Sequence, residues 1–176
     1  KKKVYAVVEE TCASAAYYIA SAADNIYVDK ASLVGSIGVL MDGFGFTGLM
    51  DKLGIERRLM TAGANKAMMD PFSAQNPEQT AYIQKMLGEI HAQFIAVVKR
   101  GRGQRLQETP DMFSGLVWNG QQAVELGLAD GVGQAGHAGV TRPEPLGQRQ
   151  GVVQGIVGDV AGHVRPVDAA HVLAPA

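Results

Sequence analysis

With a single cysteine in 176 residues, this chain cannot form an intramolecular disulfide, and it has no cysteine pair to hold a metal. Its formal net charge is -1, which leaves no basic surplus for nucleic acid or an anionic membrane surface. Aromatic residues make up only 6% of it. No run of eighteen apolar residues occurs, so nothing reads as a membrane-spanning helix. The start, Lys1-Lys2-Lys3, leads toward Glu9-Glu10 and not into the apolar stretch of a signal peptide. His91, His137, His163 and His171 do not recur at metal-ligand spacing, so neither a metal nor another cofactor is expected. Cys12 reads as a small buried hydrophobe that packs the core.

What is present suits one domain with an adequate core. Strand-like and helical stretches alternate in the manner of a largely parallel sheet with helices around it, an α/β class. Residues 4–9 read as a strand, 14–23 as a helix of small residues and 26–28 as a second strand. Residues 34–41, interrupted by Gly35 and Gly38, read as loop plus strand. A short helix over 46–53 is closed by Gly54, and residues 55–61 read as a strand leading to a loop around Lys66. The strongest helix signal begins at Asn76-Pro77-Glu78-Gln79, with an N-cap, a first-turn proline and a capping-box glutamine. Ile83, Leu87, Ile90, Phe94 and Val97 then mark one apolar stripe, which suits packing on its own sheet or against another subunit. Shorter helices are expected at 110–113 and 120–126, the latter capped by Gly127.

Two polar residues stand out against apolar or small-residue surroundings. Ser14 lies in Thr11-Cys12-Ala13-Ser14-Ala15-Ala16-Tyr17-Tyr18-Ile19-Ala20, and Lys66 in Thr61-Ala62-Gly63-Ala64-Asn65-Lys66-Ala67-Met68-Met69. A serine needs a base to become a nucleophile, and a serine-lysine pair can supply both without histidine or aspartate. The lysine must be neutral to act, whereas a free lysine titrates near a pKa of about 10.4. Burial lowers that value, and the flank Ala67-Met68-Met69 is expected to provide it. A helix-packing serine and a solvated lysine are the plain alternative.

Residues 4–133 resemble the signal peptide peptidase A family, membrane-associated serine peptidases of the ClpP and crotonase-like superfamily. Val4-Tyr5-Ala6-Val7, Ala13-Ser14-Ala15-Ala16-Tyr17-Tyr18-Ile19-Ala20 and Ala22-Ala23-Asp24-Asn25-Ile26-Tyr27 carry the first part of the resemblance. Leu33-Val34-Gly35-Ser36-Ile37-Gly38-Val39, Ala62-Gly63-Ala64-Asn65-Lys66, Lys99-Arg100-Gly101-Arg102 and Val117-Trp118-Asn119-Gly120 carry the rest. The resemblance implies a ClpP/crotonase-like core, truncated at its N-terminal side. It implies Ser14 as nucleophile, Lys66 as general base, Ser36 as the hydroxyl that orients the lysine amine, and the Ala15 N–H as an oxyanion donor. Ser36 also reads simply as a turn serine between glycines. By the same resemblance the substrates are apolar peptides such as cleaved signal peptides. The assembly is a homo-oligomeric ring, and the place is the extracytoplasmic side of a bacterial membrane, with any anchor upstream of this chain.

The chain departs from the family pattern in having Ala15-Ala16 where two glycines usually follow the nucleophile. Either the added methyl groups disturb a backbone that needs unusual dihedrals, or the positions are helical and alanine is harmless. The family's upstream oxyanion loop is a second difference. From Gln134 onward there is no aromatic residue and no lysine, and residues 134–176 read as a Gly/Pro-rich, poorly ordered tail, the product of a fusion or an altered reading frame. Three functions are open on this reading: a Ser-Lys endopeptidase, a non-catalytic or truncated subunit that acts in assembly, and a crotonase-type acyl-CoA enzyme.

Overall fold

The computed structural model describes residues 3–133 and 152–154. Along the chain run β1 (Tyr5–Val8), β2 (Thr11–Ala13), α1 (Ala15–Ala20), β3 (Asn25–Val28), β4 (Leu33–Gly35) and α2 (Thr47–Leu53). Then come α3 (Pro77–Arg102), a 3-10 turn (Gly103–Arg105), β5 (Val117–Asn119), α4 (Gly120–Glu125), β6 (Gly131–Val132) and β7 (Val152–Gln154). They divide into two units, one built from the described parts of Lys1–Gly38 and Phe94–Ala176, the other from Val39–Gln93.

In the first unit β6, β3, β1 and β7 form one sheet in that order, every pair parallel. The expected α/β class with a mainly parallel sheet is what the chain adopts. Strands β1 and β3 pair with Ala6 opposite Ile26 and Val8 opposite Val28. All four are buried, so the period-two alternation puts one continuous apolar face on the core. Tyr17, Phe94, Val98, Met112, Ala123 and Leu128 fill the space beside it. Fully burying a Val, Leu or Phe side chain contributes about 1.5–3 kcal/mol, so this cluster is the main source of the unit's cohesion.

A second sheet of the same unit has the order β2-β4-β5, with β2 and β4 parallel and β5 antiparallel to β4. Trp118 on β5 lies across Gly35, where an added Cβ would come within 2.8 Å of the indole ring. Strand β4 ends there because Gly35 and Ser36 both take positive φ, 111° and 51°. The strand-like run foreseen over 34–41 therefore covers only its first residues. Gly120 opens α4 against the backbone of Asp29; a Cβ would sit 1.8 Å from that carbonyl oxygen. Asn119 caps the helix by accepting from the Gln122 N–H at 2.9 Å, and Gln122 returns a bond to the Asn119 N–H.

In the second unit, α2 ends at Gly54 in the left-handed conformation, φ 63°, as its sequence implies. Residues 55–61 form no ladder, contrary to the strand expectation. A strand needs a neighbour to satisfy its backbone, and among the described residues none lies alongside; Ile55, Leu59 and Met60 remain exposed. Asn76 caps α3 through its Oδ1, accepting from the N–H groups of Glu78 (2.8 Å) and Gln79 (3.3 Å). The Gln79 side chain does not close the capping box; its amide donates to Asn65 Oδ1 instead.

Along α3 the buried apolar residues are Ile83, Phe94 and Val98, followed by Arg102. Steps of four from Phe94 carry the buried face to Val98 and not to Val97, and Ile90 is 43% exposed. Residues 110–113 are turns closed by single bonds, Met112 N–H to the Thr109 carbonyl and Ser114 N–H to that of Asp111, and do not form the expected helix. Within 134–176 only 152–154 are described, and they pair parallel to β1. The rest of the tail reading, with His137, His163 and His171, lies outside the described residues.

Candidate active site

Strands β2 and β4 run parallel with Ala13 opposite Gly35. The next residues, Ser14 and Ser36, therefore emerge side by side at the carboxyl ends of adjacent strands, where open α/β sheets bind ligands. The Ser14 N–H donates to the Gly35 carbonyl at 2.8 Å, and the Ser36 N–H to that of Leu116 at 2.8 Å. Both serines have positive φ, 52° and 51°. For a residue with a Cβ this backbone costs of order 1–3 kcal/mol, and such strain gathers at functional sites.

Ser14 stands between β2 and α1 with ψ -123°. It occupies the N-cap position, yet its side chain makes no cap hydrogen bond, although capping is what serine ordinarily does there. Its hydroxyl is left exposed at a strand-to-helix turn, the geometry of a nucleophile elbow. The first intrahelical bond of α1 runs from the Tyr18 N–H to the Ser14 carbonyl, so the amides of Ala15, Ala16 and Tyr17 precede the ladder. Ala15 and Ala16 are helical, and the unusual dihedrals fall on Ser14 alone. Of the two readings of the Ala15-Ala16 pair, the backbone takes the one in which alanine needs no special conformation.

Lys66 belongs to the second unit, on a turn in which its N–H donates to the Gly63 carbonyl at 3.1 Å. Its side chain is exposed, Met68 is half-buried and Met69 is exposed, so the flank does not enclose the amine as the sequence suggested. Met69 on the same loop holds φ 60°, a strained backbone for a residue with a Cβ. Asp70 pairs with Arg57, whose guanidinium also donates to Ser73 Oγ and lies 5.7 Å from the centre of the Phe72 ring. Met41, Phe44, Met69, Asp70 and Gln79 line a cavity of about 630 Å³ in this unit.

Cys12, two residues before Ser14, is buried on β2, and burial pushes its thiol up to about 12. That state is inert at neutral pH, in keeping with the core role expected of it. Among the described residues no group of three or more His, Cys, Asp or Glu side chains could hold a metal ion.

A buried polar network was missed by the sequence reading. Arg102, with no exposed side-chain surface, donates from Nε to the Gly127 carbonyl at 2.9 Å and from Nη1 to Asp130 Oδ2 at 2.8 Å. Asp130 also accepts from the Ile26 N–H at 2.6 Å and from Arg105 at 3.0 Å. Burial alone would raise the Asp130 carboxyl, but the bonds from Arg102 and Ile26 and the charges of Arg102 and Arg105 outweigh it and hold the group low. The Tyr17 hydroxyl donates to the Leu128 carbonyl at 2.8 Å, and burial raises its titration. The Lys99-Arg100-Gly101-Arg102 run was the signal that could have disclosed this network.

The fold and this serine geometry can be set beside known proteins. Residues 1–141 match the model of peptidase family S49. The chain belongs to that family. The ClpP-like core expected of signal peptide peptidase A relatives is therefore its fold. A provisionally named signal peptide peptidase SppA of Enterococcus faecium is 34% identical over 130 residues, 74% of this chain and 38% of that one. A provisionally named protease of Methanocaldococcus jannaschii is 39% identical over 133 residues, 76% of this chain and 43% of that one. A protein named Na(+)/H(+) antiporter NhaA in Brucella abortus is 48% identical over 133 residues, 76% of this chain but 18% of that one. The chain spans less than half the length of each of these relatives.

Proposed function

We propose that this chain carries the nucleophile and base of a serine endopeptidase that cuts apolar peptides, such as cleaved signal peptides, through an acyl-enzyme. Ser14 is the nucleophile. The observation that carries the reading is its strained, uncapped, exposed position at the β2–α1 turn. Lys66, as the free amine, accepts the Ser14 proton while Oγ attacks the scissile carbonyl. The Ala15 N–H stabilises the developing oxyanion, a type of contact worth a few kcal/mol. Lys66 then gives its proton to the departing amine, and water enters to release the acyl group and restore Ser14. Ser36, beside Ser14 in the sheet, orients the lysine amine. The extracytoplasmic face of a bacterial membrane is the compartment that goes with this reading.

Assembly into a homo-oligomeric ring is part of the proposal. The second unit supports it: Leu40, Met41, Phe44, Leu49, Leu53 and Met60 are exposed and Ile83 is its buried side chain, an apolar surface of the kind that marks protein contacts. A second reading, a non-catalytic subunit acting in assembly, is favoured by the exposure of Lys66, which lacks the apolar enclosure that a lysine base draws on.

The test is cleavage of a mixed pool of apolar peptides by the purified chain, read by mass spectrometry beside Ser14→Ala and Lys66→Met. Cleavage lost in both variants is the expected result. Cleavage retained in Ser14→Ala would sink the catalytic assignment, and an oligomer without turnover would favour the assembly reading.

A further inference from the structure

We infer that Tyr17 and the Gly101-Arg102 pair are positioning residues that clamp α1 from its buried side and thereby hold Ser14 in its strained turn. The inference rests on reading Ser14 as the nucleophile. Helix α1 has six residues, far too few to persist by its own hydrogen bonds, yet it must fix a backbone at φ 52° that would otherwise relax. The restraint has to come from tertiary contacts, of which two meet this helix and a third supports one of them.

The first is Tyr17, three residues after Ser14, which is fully buried and donates its hydroxyl to the Leu128 carbonyl at 2.8 Å. The second is Gly101, whose Cα faces the carbonyl of Ser21 at the end of α1; a Cβ there would lie 1.9 Å from that oxygen. Only glycine lets α3 approach so closely. The third is Arg102, which ties the Gly127 carbonyl and the Asp130 carboxylate and so fixes the 127–130 turn that presents Leu128 to Tyr17. Arg102 thus acts on the helix through the turn and through Tyr17. None of the three touches a reacting atom. Their arrangement explains why a glycine-arginine pair ends α3, a feature to which the proposed chemistry assigns no task.

Tyr17→Phe removes only the hydroxyl and keeps the buried ring, and Gly101→Ala adds one methyl against Ser21. The measurement is amide hydrogen exchange over residues 14–21, taken with the rate at which a fluorophosphonate labels Ser14. In both variants the α1 amides are expected to exchange at least tenfold faster while those of β1 and β3 stay as in the wild type, and Ser14 labelling is expected to slow by tenfold or more. If Gly101→Ala fails to fold, Tyr17→Phe decides alone. Wild-type exchange in α1 of Tyr17→Phe overturns the clamp, as does loosening spread evenly over the unit. Selective loosening of α1 together with slower Ser14 labelling supports it, and loosening with wild-type labelling overturns the positioning role. A wild-type protein that is never labelled at Ser14 overturns the nucleophile reading and with it the positioning role.

Discussion

Replacing Ser14 by glycine should stabilise the protein while abolishing any chemistry at that position. Ser14 holds φ 52° and ψ -123°, a backbone that costs a residue with a Cβ about 1–3 kcal/mol. Its side chain makes no cap bond that would offset this. Glycine relieves the strain but gives the unfolded chain more freedom, a loss of about 0.4–1 kcal/mol. The net expectation is a gain of about 0.5–2 kcal/mol, or roughly 2–6 °C in Tm for a chain of this size. Ser14→Ala is the proper reference, because it removes the hydroxyl and keeps the Cβ. Thermal and urea unfolding of the three proteins, followed by circular dichroism, would measure the difference. Ser14→Ala should match the wild type to within about 0.5 kcal/mol, as changes away from packing and caps usually do. If Ser14→Gly proves no more stable than Ser14→Ala, the turn is unstrained, and the argument that strain marks this serine fails.

The buried Arg102–Asp130 pair yields two expectations. Arg102→Met removes the buried partner of Asp130, which keeps Arg105 and the Ile26 N–H, and should cost about 1.5–3 kcal/mol in urea unfolding; a loss under about 1 kcal/mol would show that the pair contributes little. Asp130 is held below its ordinary range when folded, so its contribution is fully present above the titration of an unfolded aspartate, about 3.9. That contribution is lost as pH falls from there through the lower folded value. An Asp130→Asn variant should therefore show a shallower loss of stability below about pH 4, and an unchanged acid limb would contradict the assignment. Gly120→Ala drives a methyl into the Asp29 carbonyl and should destabilise by about 1–3 kcal/mol or more, read as a fall in Tm. The Cys12 thiol, pushed up to about 12 and buried, should resist iodoacetamide at pH 8 in the native protein and react at once in urea. Rapid native labelling would mean that β2 is not covered as described.

How much was legible in the chain depended on whether the signal was local. The α2 stop at Gly54, the Asn76 cap and the strands β1 and β3 were readable because each rests on residues adjacent in sequence. The strand expected over 55–61 failed because a strand exists only with a partner, and the apolar pattern says nothing of whether one is there. The Gln79 side chain was drawn from its capping-box role to Asn65, a neighbour distant in sequence. The stripe on α3 drifted from Val97 to Val98 because the buried face continues to a charged residue, Arg102, which a search for apolar periodicity passes over.

At the candidate site the same division holds. Ser14, Ser36 and Lys66 were nameable from their motifs, and the family follows from those motifs. The chain by itself determined which residues can do chemistry, since residue types and their spacing are covalent facts. Only the tertiary structure decided that Ser14 and Ser36 follow adjacent strands, that Ser14 carries the strained backbone while Ala15 and Ala16 stay helical, and that the buried Arg102 of α3 holds Asp130. Those outcomes depend on strand register and on burial, which arise from contacts between residues as much as 111 positions apart.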